Sequence, residues 1–176
     1  MQEICIKITD VFSPELREKL EQLCTDKKME VSFKYVSDFR STGLLRNYIS
    51  ELCSMCKLDK TWISRIILIT DELNNNAIEY WSKPGEYNIM IFRLKDLWDE
   101  IELEISVEDT WNWDKSKTAK EMFELKNKKK ESWFDWYMWI RGRWLFLIID
   151  KMVDDLKFED TEKWWLRVII KKKIKK

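Results

Sequence analysis

Three glycines, Gly43, Gly85 and Gly142, serve a chain of 176 residues that keeps switching between two apolar periods. Stretches such as MEVSFKYV (29–36), NIMIFRL (88–94) and IELEISVE (101–108) alternate residue by residue, the period of a strand with one buried face. In ISRIILITDELNNNAIEY (63–80), Ile63, Ile66, Ile67, Ile69, Leu73 and Ala77 recur at helical spacing instead. A chain that changes period this often must turn often, and turns favour residues that tolerate positive φ. Typical usage would supply about 12 glycines at this length. The sequence carries eleven tryptophans beside that deficit, and is short of the residues its turns call for.

The remaining segments extend the pattern. Ile4, Ile6 and Ile8 predict a strand in residues 1–10, and Ser13-Pro14-Glu15 predicts a helix start with Ser13 as N-cap and Pro14 in the first turn. Ser41 is expected to open a helix through LLRNYISELCSMC, and Asp59 or Thr61 to open the next, which runs to about Tyr80. Pro84-Gly85 punctuates the chain before a hairpin that is broken at LWDE. Residues 114–141 show no clean period and are expected to form a long connection with one helical turn around AKEMFEL. RWLFLIIDKMVDD then predicts an apolar helix, and LKFED, TEKWW and LRVIIKKKIKK a final hairpin. The order predicts an α/β fold, a two-layer sandwich with a mixed, mainly antiparallel sheet and helices on one face. Residues 29–176 form its main domain. Residues 1–28 form an N-terminal strand-helix extension, which could join the sheet or stand as a separate arm.

Several functions are excluded at this level. The 32 basic and 32 acidic residues cancel, so no global field points to nucleic acid or an anionic membrane. The absence of histidine removes Ser-His-Asp and Cys-His catalysis and histidine-ligated zinc. WLFLII is too short to span a bilayer, and MQEICIKITD lacks a signal core, which together predict a soluble, cytoplasmic protein. Cys5, Cys24, Cys53 and Cys56 are too scattered for a disulfide scaffold, in keeping with a reducing compartment. Cys53 and Cys56 share a predicted helix with no other ligand near them in sequence and read as ordinary, partly buried thiols. The KNKKK and KKKIKK runs read as solvated charge.

The densest chemical constellation is ITDELNNNAIEY. Glu72 and Asn76 are four apart and share one helix face, while Ile69, Leu73 and Ala77 hold the other side in the core. A carboxylate beside a carboxamide can accept a proton from a hydroxyl and can hold a hard metal ion through oxygen. By itself the pair also fits a solvated face with an incidental asparagine cluster. A second candidate, Asp109, begins the turn DTWNW immediately after a predicted strand.

Taken in order over residues 29–171, these motifs resemble the bacterial anti-sigma-factor serine kinases, within the wider Bergerat-type (GHKL) group of ATP-binding proteins. The resemblance rests on Glu72-x-x-x-Asn76-Ala77, on Asp109 in its turn, on the Gly142 loop and on the helix ending Met152-Val153-Asp154-Asp155. It implies ATP and Mg²⁺ as cofactors, Glu72 as the general base for a partner's serine, and Asn76 as the residue coordinating Mg²⁺. Asp109 would read the adenine amino group, with Trp113 beside it. The backbone around Gly142, Arg143, Trp144, Leu145 and Phe146 would cradle phosphate, as helix N-termini do. Residues 114–141 would be the nucleotide lid. The implied partners are a sigma factor and an anti-anti-sigma protein, with homodimerisation in common with relatives, and the implied role is regulation of transcription in the bacterial cytoplasm.

Trp111, Trp113 and Trp144 fall where that family carries glycine. Trp81, Trp98, Trp133, Trp136, Trp139, Trp164 and Trp165 likewise fall at expected caps, turns or loop positions, leaving Trp62 as an ordinary packed aromatic. The chain therefore reads as a scaffold of this family with tryptophan in place of glycine. Each site that required positive φ is then expected to store about 1–3 kcal/mol of strain. Indoles at 111, 113 and 144 are expected to crowd the nucleotide and to weaken or abolish its binding and turnover. Two further outcomes stay open: a non-enzymatic module that binds sigma or anti-anti-sigma partners without ATP turnover, and a chain without a unique fold.

Overall fold

The computed structural model describes residues 3–8, 12–25, 27–110, 117–131, 150–163 and 165–176. The elements are β1 (Glu3–Lys7), α1 (Pro14–Thr25), β2 (Lys28–Val36), α2 (Arg40–Met55) and α3 (Lys60–Asn76). A π turn (Ala77–Trp81) then leads to β3 (Tyr87–Asp96), β4 (Glu100–Glu108), α4 (Ala119–Glu131), a short helical turn at Asp150–Met152, β5 (Asp155–Asp160) and β6 (Leu166–Lys175). The strands form one sheet in the order β1-β2-β3-β4-β6-β5. β1 and β2 run parallel and every other pairing is antiparallel. This is the α/β architecture with a mixed, mainly antiparallel sheet that the periods predicted. No described helix is long and apolar enough to cross a membrane.

Strand parity decides which side of the sheet the helices cover. Val31, Phe92, Ile105, Ile170 and Leu156 lie across from one another in one row, and Phe33, Met90, Val107, Val168 and Phe158 in the next. These rows share a core with Leu20 and Leu23 of α1, Leu45, Ile49 and Leu52 of α2, Ile66, Ile69 and Leu73 of α3, and Met122 of α4. Residues 1–28 thus add a strand to the sheet and a helix to its apolar cover. On the opposite parity, Glu30, Arg93, Glu104, Lys171 and Asp155 form a charged row. Arg93 bridges Glu30 at 2.7 Å and Glu104 at 2.5 Å, and Lys171 reaches Glu104 at 2.9 Å. A slip of one residue would drive these charges into the core, so the register is strongly specified.

The helix starts follow local chemistry. Ser13 Oγ accepts from the Leu16 amide at 3.2 Å, and the Asp59 carboxylate accepts from Thr61 and Trp62 at 2.8 and 3.1 Å, as the N-cap readings require. α2 begins earlier than expected: Phe39, not Ser41, is its cap residue, and Asp38 receives the Arg40 amide at 2.9 Å. The single helical turn expected around AKEMFEL is in fact the 13-residue α4. Of the apolar helix expected over 143–155, residues 150–155 are described, and it ends early: Asp150–Met152 is helical, and Asp155 already opens β5.

The turns correct the expectation of strain. Among the described residues, positive φ occurs at Gly85 (82°) and at Lys57 (57°). Trp81, Trp98 and Trp165 therefore sit at negative φ, and the strain of a side chain at a glycine-type conformation is not stored there. Trp98 is in the β3–β4 turn as expected and is 97% exposed. Trp81 ends the π turn and is buried in the core, so it is a packing residue rather than a cap.

Candidate functional site

The last turns of α3 bring Glu72 and Asn76 together. Contrary to the opposite-side expectation, Asn76 lies on the same side as Leu73 and Ile69, three and seven residues before it, and is buried with them, while Glu72 sits at the edge of that face. The Asn76 amide Nδ2 donates to the Glu72 carbonyl at 2.6 Å and to Glu72 Oε1 at 2.9 Å. Asn76 is 5% exposed and Glu72 is half-buried. Directly beyond Asn76 the helix widens into the π turn, a local distortion common beside functional groups. The chain leaves it at Ser82, whose hydroxyl donates to Asn88 Oδ1 at 2.6 Å. That bond ties the end of α3 to the start of β3.

Asn88 belongs to a polar row that closes this end of the covered sheet face. Tyr35 of β2 is its direct neighbour, and the β3–β4 register, in which Ile89 faces Glu108, carries Asn88 next to Asp109. Asp109 is held by the next strand: its amide donates to the Leu166 carbonyl at 3.1 Å, and its Oδ1 accepts from the Leu166 amide at 3.0 Å. The Asp109 side chain is only 1% exposed. Along this row, the Tyr35 hydroxyl, Ser37 Oγ, Asn88 Nδ2 and Thr110 Oγ1 are buried with no hydrogen-bond partner among the described residues. Such atoms are rare, and a group of them at one end of a sheet calls for a polar partner. Burial pushes the Tyr35 phenol far above the ordinary tyrosine value. The Asn88 amide, near it but outside hydrogen-bond geometry, works the other way, and the Asp109 charge adds to the rise.

This donor set suits a hard cation and a polar planar ligand. Glu72 and Asn76 supply oxygen, which favours Mg²⁺ over softer ions. Among the described residues no group of three or more Cys, Asp or Glu could hold a metal by itself, so a cation here would take most of its ligands from phosphate or water. Asp109 is an acceptor with the donors Thr110, Asn88 and Tyr35 around it, a pattern able to pair with an amino-substituted base. A separate cleft, lined by Arg93, Glu104, Asp154, Lys171 and Lys173, touches none of the candidate residues.

Glu72 and Asn76 are thus joined directly on α3, and Asp109 is fixed by β6 beside Asn88. Trp113, Gly142, Arg143, Trp144, Leu145 and Phe146, together with Trp111 and the greater part of the expected lid, lie outside the described residues. Tyr35, Ser82 and Asn88 had no place in the sequence reading. A signal for two of them existed: Tyr35 and Asn88 occupy the buried parity of their strands, where Phe33, Met90 and Phe92 set an apolar rule that a polar atom breaks. No family model matches this sequence, and no curated protein matches it.

Proposed function

We propose that this chain is an ATP-binding regulator of the anti-sigma serine-kinase type, with nucleotide affinity weakened by Trp111, Trp113 and Trp144. The observation that carries the proposal is the polar end of the covered sheet face. There the buried Asp109 lies beside buried polar atoms without a partner among the described residues, and α3, which Ser82 and Asn88 tie to this end, carries the Glu72–Asn76 pair at 2.9 Å. Glu72 is the base: its half-buried carboxylate, steered by the Asn76 amide, takes the proton of a partner's serine hydroxyl as that oxygen becomes a nucleophile. The Asn76 carbonyl oxygen would hold Mg²⁺, a hard ion suited to an oxygen donor. Asp109, immobilised by Leu166, orients the base of the nucleotide. When bound, Mg-ATP supplies the phosphoryl group and the charge neutralisation that the transfer requires. The partners by this reading are a sigma factor and an anti-anti-sigma protein, and the compartment is the cytoplasm.

Titration with Mg-ATP, followed through tryptophan fluorescence, tests the reading. The expected result is a saturable change that Asp109→Asn and Asn76→Ala both reduce at least tenfold in affinity. The burial of Asp109 and the use of its Oδ1 by Leu166 favour a second reading, a protein-binding module that engages the same partners without turnover. A chain that unfolds cooperatively yet gives no saturable response refutes the first reading and leaves the second.

A further inference from the structure

Two thiols distant in sequence meet where the C-terminal ends of α1 and α2 come together. Cys24 and Cys56 are 32 positions apart, and their Sγ atoms are 2.7 Å from each other. Met29 Sδ lies 3.6 Å from Cys56 Sγ and 4.0 Å from Cys24 Sγ, so the pair has a thioether on one side. The packing of Leu20 and Leu23 of α1 into the core shared with Leu52 of α2 sets this approach. Such a sulfur–sulfur distance is well inside ordinary contact and not far beyond the roughly 2.05 Å of a disulfide bond. Cys53, one turn earlier on α2, is fully buried, and Cys5 is exposed on β1.

We propose that Cys24 and Cys56 form an oxidative modification site, in which a hydroperoxide oxidises Cys24 and Cys56 then closes a disulfide onto it. In the first step the Cys24 sulfur attacks the peroxide O–O bond. The sulfur loses two electrons and becomes a sulfenic acid, and the other oxygen leaves as an alcohol or, from hydrogen peroxide, as water. In the second step the Cys56 sulfur attacks Cys24 Sγ. The S–O bond breaks, the S–S bond forms, and the departing hydroxide leaves as water with the Cys56 proton. A dithiol reductant restores both thiols.

The surroundings favour this order. The hydrogen bond between the two thiols, in which either sulfur can donate, holds the Cys24 thiol below its ordinary value against partial burial and the charge of Glu21. The same bond, with burial, keeps Cys56 protonated until the disulfide step. Burial pushes Cys53 up to about 12, which removes it as a competing nucleophile. Both reacting cysteines are half-buried, so a small peroxide reaches them while a second protein chain meets steric hindrance. The closed bond ties α1, and with it the N-terminal strand, to α2. It would form only under oxidative challenge, consistent with the transient disulfides of reducing compartments.

The test uses the full, reduced chain, treated with stoichiometric hydrogen peroxide, blocked with a maleimide and mapped by tandem mass spectrometry. The expected result is a dominant Cys24–Cys56 linked peptide in a monomeric product, reversed by dithiothreitol. Cys56→Ser should leave Cys24 as a sulfenic acid that a second equivalent of peroxide carries to sulfinic acid, and Cys24→Ser should leave Cys56 alkylatable after peroxide. Recovery of both residues fully alkylated, or linkage through Cys53 or between chains through Cys5, overturns the proposal. The map of the unsubstituted chain decides alone if a variant fails to fold.

Discussion

The Tyr35 hydroxyl offers a direct test of the polar end of the sheet. Its ring is part of the core, and Phe33 on the same strand face and Asn88 across the ladder leave it little room to move. The hydroxyl is buried without a hydrogen-bond partner among the described residues. Tyr35→Phe keeps the ring and removes only the unsatisfied group. A buried donor left unpaired costs about 1–3 kcal/mol. The neighbouring Asn88 amide and Asp109 carboxylate soften that penalty, so a gain near the lower bound, about 1 kcal/mol, is expected. For a chain of this size that corresponds to a rise in Tm of about 2–4 °C. Urea unfolding followed by tryptophan fluorescence should show a higher midpoint with unchanged slope.

The same substitution has a signature in pH. The folded chain holds the phenol proton above pH ~10, where an unfolded tyrosine releases it. Between the unfolded and folded values the native state therefore binds more protons, and stability falls as pH rises, by at most about 1.4 kcal/mol per pH unit. Tyr35→Phe should flatten that alkaline decline. A variant that loses 1 kcal/mol or more at neutral pH, with the alkaline slope unchanged, would refute the account, because the hydroxyl would then be bonded and its proton unremarkable.

Other perturbations probe the rest of the fold. Asp59→Ala removes the carboxylate that accepts from Thr61 and Trp62 at the start of α3, and a loss of about 1 kcal/mol is expected in urea unfolding. Arg93→Met takes the shared cation from Glu30 and Glu104 while keeping the aliphatic stem. Breaking a fully buried pair costs about 3–5 kcal/mol; the Arg93 side chain is 39% exposed, so about 2 kcal/mol is expected here after screening. Acid titration should show a further dependence. Burial opposes ionisation of Glu104, yet Lys171 and Arg93 hold its pKa below the usual carboxylate value, and Lys172 does the same for Asp154. Their stabilisation is complete above the unfolded values near pH ~4 and is lost as pH falls through the lower folded values. Lys171→Met should flatten the part of that acid decline contributed by Glu104.

What the sequence revealed depended on the range of the interaction. Period and parity are local, so MEVSFKYV, NIMIFRL and IELEISVE located three strands, and the i,i+4 spacing of Glu72 and Asn76 placed them on one helix face. Their hydrogen bond follows from that spacing. The polar row follows from something else. Tyr35, Asn88 and Asp109 are neighbours only because β2, β3 and β4 pair in this register, and register is fixed by tertiary packing that no single segment contains. Cys24 was unreadable for the same reason: Cys56 pairs with a thiol 32 positions away rather than with Cys53, its apparent partner in sequence. The extent of α4 was missed because its lysine-rich face gives little apolar period and Met122 alone among its described residues is fully buried.

The tryptophans show why position and conformation must be separated. Strain is expected at those indoles whose sites require positive φ, and a turn position by itself does not say which sites those are. The β3–β4 turn closes with the Leu97 amide donating to the Glu100 carbonyl at 2.9 Å, and Trp98 within it stays at negative φ. Lys57 takes the left-handed position after α2, and Gly85 takes the one before β3. Trp81 is accommodated by a different device, the π turn, which adds a residue to the helix end and carries the indole into the core. At these places tryptophan changes what the surface or core presents without forcing the backbone. For Trp111, Trp113 and Trp144 the proposed function predicts an effect on nucleotide affinity that is separable from stability. Trp113→Gly and Trp144→Gly should raise Mg-ATP affinity while leaving the urea midpoint within about 0.5 kcal/mol of its value, the range of ordinary surface substitutions. A large stability change without any gain in affinity would place those indoles in the packing of the domain instead.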